Sequence, residues 1–362
     1  MRKQALAAAL AGAILGAGFT ACGGDDGGGD SGGGKQIALL LPETKTTRYE
    51  AHDRPAFEAE VKRLCPDCEV IYANGSQDAT KQQTQAEAAI TQGADVLVLD
   101  AVDATSATAM VERAKESDIP VLAYDRLISD TDIDFYVSFE NVRQGRLQAQ
   151  SLLEGLGSHP AGQSIVMING SPTDPAAGEY KMGAHEVLDK SGVDIAKEYD
   201  TPDWSPDKAQ REMEQAITAL GSDKVAGVYA ANDGMAGGAI AALKSAGVDP
   251  SSVPITGGDA EVAALQRILI GEQYATIYLT IRKEAEMSAR LAVAVARGEE
   301  PPADLLNAKV DNGAGEVPSI LLTPVPVTKD NVADTVIEDG FYEPSQICTG
   351  KFAKACREAG IG

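Results

Sequence analysis

Short, continuous apolar runs alternate with helix-length segments along most of this chain, and that alternation leaves few folds open. Gln36 to Leu41 reads QIALLL, Asp95 to Leu99 reads DVLVL and Ser164 to Ile168 reads SIVMI. Runs without polar alternation are strands buried on both faces, as in a parallel sheet covered by helices. A first set places strands at Gln36–Leu41, Glu69–Ala73, Asp95–Leu99, Val121–Tyr124 and Phe135–Phe139. Helical segments through Phe57 to Leu64, Gln82–Ile90 and Thr105–Ala114 lie between them, and another starts at Val142. The rhythm then restarts, with strands at Ser164–Ile168, Ile195–Tyr199, Val225–Ala230, Val253–Thr256 and Ala275–Leu279. Its helices fall around Met182–Leu188, Ser205–Leu220, Met235–Ala246, Val262–Leu269 and Arg282–Val295. Such βαβ units, with right-handed crossovers, predict an α/β protein of two similar Rossmann-like domains with parallel sheets. After Pro301 only short pieces remain, read as return crossings between the domains plus an edge strand.

The two ends read differently. Arg2 and Lys3 precede an apolar, Ala- and Gly-rich run, Ala5 to Phe19, that ends in Thr20-Ala21-Cys22. This is built as a secretory signal, residues 1–21, and is short for a membrane span. The cysteine after small residues resembles a bacterial lipobox, with Phe19 where Leu is usual; that implies cleavage before Cys22 and lipid on its sulfur. Residues 22–35, nearly all Gly, Asp and Ser, form a flexible tether. The expected location is therefore extracytoplasmic, lipid-anchored to the outer face of the cell membrane or periplasmic. There an even count of the remaining cysteines favours disulfides. Three pairings are open, and the local pairs Cys65–Cys68 and Cys348–Cys356 are the expected ones. The tail 344–362 reads as an add-on closed by the second pair.

The net charge of −23 argues against nucleic acid and against anionic lipid bound through basic patches. In open α/β sheets ligands collect at the carboxyl ends of strands. Arg48 and Tyr49, Asp125-Arg126, Asp174, Trp204, Asn232 and Asp259 all fall in such loops. Singly, each has a plain role: Asn232 and Asp259 as helix caps, Asp174-Pro175 as a turn, Trp204 as packing. Jointly they suit a sugar. Carboxylates and amides exchange hydrogen bonds with hydroxyls, a guanidinium donates in a fork, and aromatic rings stack on the C–H faces of a pyranose.

Enzyme and metal readings find less support. Asp174 and Asp259 could form a glycosidase pair only at a separation that sequence does not give. No G-x-S-x-G elbow or P-loop is present, and His52, His159 and His185 match no metal spacing. Asp130, Asp132 and Asp134 mimic the start of an EF-hand loop, but Phe135 and Asn141 occupy the positions needing Gly and Glu. No metal or cofactor is expected.

Several blocks are similar to periplasmic xylose-binding proteins of ABC transporters: VLAYDRLISDTDIDFYVSFEN, ANGSQDAT, DVLVLDAV, AANDGMAGGAI, TGGDAEVAALQRI and LLTPVPVTKDNVADTVIEDGF. The resemblance runs from about Gln36 to Glu343. It implies the type I periplasmic binding protein fold, two lobes joined by three hinge strands. The lobes are expected at 36–138 plus 280–320 and at 139–279 plus 321–343. It implies that Arg48, Asp125, Arg126, Asp174, Asn232 and Asp259 hydrogen-bond the sugar, with Tyr49 (Trp in the family pattern) and Trp204 sandwiching it. Two positions depart: Ala176 stands where an Asn is expected and Leu279 where a Lys is expected. Arg282 is a candidate for compensating contact. The implied partners of this monomer are a monosaccharide, D-xylose first, and an ABC permease. A sugar-sensing lipoprotein serving a chemoreceptor or sensor kinase would use the same cleft. A LacI-type repressor would need a helix-turn-helix where the signal and tether stand.

Overall fold

The computed structural model describes residues 34–302 and 304–362; the expected signal segment, the tether up to residue 33 and the lipidation site Cys22 lie outside them. The first sheet contains β1 (Gln36–Leu41), β2 (Glu69–Asn74), β3 (Val96–Leu99), β4 (Val121–Tyr124) and β5 (Phe135–Phe139). Between them come α1 (Arg54–Leu64), α2 (Ala79–Thr91) and α3 (Thr108–Lys115). The chain continues through α4 (Asn141–Leu156), β6 (Ser164–Asn169), α5 (Pro175–Ser191), β7 (Asp194–Asp200), α6 (Pro206–Leu220), β8 (Gly227–Ala230), α7 (Asp233–Ser245), α8 (Val262–Leu269) and β9 (Ala275–Tyr278). It then returns through α9 (Ile281–Ala296), β10 (Ala308–Asp311), β11 (Glu316–Leu322), β12 (Val325–Thr328), α10 (Pro344–Ile347) and α11 (Ala353–Glu358).

Strand order in the first sheet is β10-β11-β5-β4-β3-β1-β2, parallel except for the β10–β11 pair. β6 pairs in parallel with β7 and β8, and β9 pairs antiparallel with β12. The expected strand Val253–Thr256 is reduced to two single bridges, Val228 to Ile255 and Thr256 to Ala275, that link these two groups. Pro254 lacks the N–H that a central strand must donate, which keeps the ladder short. The edge strand expected after Pro301 is β10, whose span the sequence does not mark because its residues AKVD are half exposed and carry little apolar signal.

Both faces of the first sheet are covered. Ile37, Leu39 and Leu41 pack toward α1 and α9, while Ala38 and Leu40 pack toward α2 and α3. Alternate residues of one apolar strand thus feed two cores, which is why no polar residue interrupts QIALLL. α9 lies far along the sequence yet packs Ala285, Ala289 and Ala292 against this sheet. The chain passes from the first sheet to the other strands after Phe139, back after Tyr278, and across again after Leu322.

The tail is not an add-on. Ile347, Cys356 and Ile361 are buried with Leu265, Ile268, Phe341 and Tyr342 in one apolar cluster. Cys65 is bonded to Cys68, and Cys348 to Cys356. Peptide mapping of the non-reduced protein is expected to recover these two cross-links, and free thiols or any cross-pairing would overturn them. The Cys65–Cys68 loop is so short that reduction there costs about 1–3 kcal/mol by loop-closure reasoning. Among the described residues, no helix is long and apolar enough to cross a membrane.

Candidate functional site

The strand-end loops converge on a small cavity of about 30 Å³ lined by Thr46, Arg48, Tyr49, Asp125, Tyr180, Trp204, Ala231, Asn232 and Asp259. That volume is far below the roughly 300–1,000 Å³ typical of small-molecule sites, so the walls stand drawn together and must part to admit a ligand of sugar size. Its rims touch: Thr47 Oγ1 donates to Glu261 at 3.0 Å, Ala104 N to the Thr173 carbonyl at 3.3 Å, and Gln77 Nε2 to the Asp203 carbonyl at 3.3 Å. The cleft is therefore closed in this conformation.

Each wall is held by local chemistry. The buried Glu43 carboxylate accepts from Thr46 N at 3.1 Å and folds the loop that brings Thr46 and Arg48 inward. Arg48 is 4% exposed and meets three carboxylates: Asp53 at 2.8 Å, Asp125 at 3.1 Å and Glu284 at 2.6 Å. Burial works against its charge, but Asp125, Asp53 and Glu284 outweigh that and hold the guanidinium protonated. Tyr49 donates its hydroxyl to Asp125 Oδ2 at 3.1 Å.

Arg126 and Asp174 do not line the cavity but stand directly behind it. Arg126 Nε lies 3.0 Å from Asp174 and 3.3 Å from Asp100, while its Nη atoms donate to the Ala101 carbonyl and the Tyr49 hydroxyl. Nε makes no well-directed hydrogen bond to either carboxylate, so these two contacts are Coulombic rather than a fork. Asp174 also caps α5, accepting from Ala176 N at 2.9 Å, and its other oxygen accepts from Trp204 Nε1 at 3.1 Å. One carboxylate thus starts a helix and orients a ring; capping and site roles coexist. Asn232 does likewise, capping α7 through Met235 N at 3.0 Å while facing the cavity.

Backbone strain concentrates here. Asp125, Trp204 and Asp259 adopt φ of 61°, 51° and 88°, left-handed values that cost energy in non-glycine residues. Trp204 also needs a glycine behind it: a Cβ on Gly170 would fall 2.2 Å from its ring. Burial pushes the Asp259, Asp174 and Asp100 carboxyls above their usual range; Arg48 opposes the shift at Asp259, and Arg126 opposes it at the other two.

Arg282 is a correction. It sits in the first turn of α9 and donates to the carbonyls of Gly340 at 3.0 Å and Phe341 at 3.3 Å, beside a separate surface groove with His52 and Glu286. Glu284, two residues on, is the member of that turn that reaches the site. Leu279 lies in the apolar cluster with Phe139 and Leu265, and does not line the cavity.

A model of the periplasmic binding protein domain matches residues 37–300. The chain belongs to this family of periplasmic binding proteins. They are binding proteins, not enzymes, and the fold is the type I form. The chain is 38% identical over 316 residues to the D-xylose-binding periplasmic protein of Escherichia coli K12, a match covering 86% of this chain and 92% of the relative. It is 34% identical to the multiple sugar-binding periplasmic receptor ChvE of Rhizobium radiobacter, covering 75% and 82%. An ABC transporter solute binding protein from Clostridium phytofermentans, solved with β-D-glucose bound, superposes with a TM-score of 0.77 at 27% identity, covering 86% of this chain and all of that one.

Sequence reasoning missed Tyr180, Asp53, Asp100 and Glu284. An aromatic residue on a buried helix face reads as core, Asp53 and Glu284 at helix starts read as caps, and Asp100 directly follows β3, where the strand-end rule could have found it. The usable signal for Tyr180 is that α5 begins at a site residue, so its first two turns border the cavity.

Proposed function

We propose that this chain is an extracytoplasmic substrate-binding lipoprotein of an ABC importer. It captures a monosaccharide in a hinged cleft and delivers it to the membrane permease. An aldopyranose is the ligand class and D-xylose the leading member. The carrying observation is the closed cavity, whose wall combines Arg48, Asp125, Asn232 and Asp259 with the rings of Tyr49 and Trp204. Polar groups of both kinds match a ring of hydroxyls, and the aromatic faces suit its C–H surface. The 38% identity to a xylose-binding protein supports the pentose over other sugars. The proposed architecture is the two-lobed one: residues 36–138 plus 280–320 against 139–279 plus 321–343, anchored through lipid on Cys22 and acting as a monomer. A sensing role would use the same cleft, and the named receptor among the relatives favours it as the second reading.

Lobes that bend about three crossings should open when empty and close on the sugar. Small-angle scattering of the mature protein, alone and with saturating D-xylose, arabinose, ribose, glucose or galactose, tests this. The radius of gyration is expected to fall with at least one sugar. Binding without contraction would sink the hinge, and neither binding nor contraction with any of the five would sink the sugar reading.

A further inference from the structure

Tyr180 reaches the cavity from a helix rather than from a strand-end loop. It lies in α5, one turn beyond Ala176 and on the same face of the helix. The position of α5 is tightly set by α4. A Cβ on Gly145 would fall 1.9 Å from the Tyr180 carbonyl oxygen, and one on Gly183 would fall 2.0 Å from that of Val142. Glycine at both points lets the helices approach this closely and leaves no slack for the ring to withdraw. The Tyr180 side chain is 7% exposed and meets Trp204 edge-on, with ring centroids 6.3 Å apart at 64°.

Its hydroxyl has no hydrogen-bond partner among the described residues, although the side chain lines the cavity beside Asp125, Asn232 and Asp259. The Tyr180 hydroxyl is not among the fully enclosed polar atoms that lack a partner, so it stays reachable, and a phenol with no protein partner on a cavity wall is free to bond what enters. The charges bearing on it are Asp125, Asp174, Asp259 and Arg48, all in or directly behind the cavity wall. Burial, reinforced by the three carboxylates, holds the phenol neutral and able to donate. Ala176, the neighbour on the same face, offers no polar side-chain atom of its own.

We propose that Tyr180 is a specificity-determining residue whose phenol exchanges a hydrogen bond with one ring hydroxyl of the bound pyranose. The proposal rests on the sugar reading above and names a contact within that site. Tyr180→Phe keeps the ring, the T-shaped contact and the helix packing, and removes only the oxygen. Calorimetric titration of wild type and Tyr180→Phe with D-xylose and its 2-, 3- and 4-deoxy analogues is the test. Affinity of the variant for D-xylose is expected to fall about tenfold, and the penalty to vanish for the one analogue lacking the matched hydroxyl. A merely structural role would weaken all four ligands by the same factor, and that result would overturn the proposal. Unchanged affinity for all four would overturn it too. If wild type binds neither D-xylose nor the other sugars of the scattering panel, the sugar reading itself falls and takes this contact with it.

Discussion

Replacing Arg48 by Met lowers the unfolding free energy by about 3–5 kcal/mol, because it strands buried carboxylates without their partner. Arg48 is the shared cation of Asp53, Asp125 and Glu284, and the side chains of all four groups are less than a tenth exposed. Removing only the cation leaves three anions in a low-dielectric cluster, a worse state than if the network had never been charged. The loss should also depend on pH with a definite sign. Burial already raises the Glu284 carboxyl well above its ordinary value, with Arg48 opposing. Without Arg48 the Glu284 carboxyl titrates higher still in the folded chain than in the unfolded one. An acid whose folded value is raised destabilises progressively as pH rises from its unfolded toward its folded value, and the penalty fades on acidification. Denaturant melts of the variant should therefore lie nearer wild type at pH 5 than at pH 8. A loss under 1 kcal/mol at pH 8 would show that the cluster reorganises or hydrates at little cost.

Saturating sugar is expected to stabilise the protein by about 2.7 kcal/mol at a hundredfold excess over the dissociation constant. A micromolar constant, about −8 kcal/mol of binding free energy, suits an importer's receptor. The melting temperature should rise by roughly 5 °C. Trp204 is the only tryptophan in the chain, so long-wavelength excitation reports one position on the cavity wall. Its emission should shift or quench on binding, and Trp204→Ala should weaken the best ligand by about 1–3 kcal/mol through lost burial and stacking. A sugar that moves the melt but leaves the emission still would remove Trp204 from the contact surface while keeping the ligand.

Much of the fold was legible because short apolar runs such as VLVL, bounded by polar residues and spaced by helix-length segments, are buried strands of a parallel sheet. Helix α8 and strand β12 match their expected spans residue for residue. Helix α5 extends well beyond Met182–Leu188, since Asp174-Pro175, for which the sequence offers a turn as the plain alternative, is the start of the helix. The candidate residues Arg48, Tyr49, Asp125, Trp204, Asn232 and Asp259 do share one cavity, as strand-end loops must. Of the layer behind them, Arg126 and Asp174 were legible and the other members stayed hidden. Asp53 and Glu284 are placed by long-range packing, and nothing local distinguishes such a buried acid from a solvated one; Asp100, the first residue after β3, had the strand-end signal. Arg282 failed for the opposite reason: proximity in sequence to Leu279 was taken for proximity in space, and the first turn of α9 points it elsewhere.

The parallel pairing of β11 with β5 has a consequence for biogenesis. β5 ends at Phe139, yet its neighbour begins only at Glu316, after every strand of the second group but β12 has been made. As the chain emerges from the ribosome, the first sheet therefore waits with one edge open, and α9, which covers one face, is missing as well. An open edge beside an uncovered apolar face is a template for pairing with another chain. Premature folding of the first half would trap that exposed state. A nascent chain of this topology gains from being kept unfolded, by a holdase or by vectorial passage, until residue 322 is available to close the sheet.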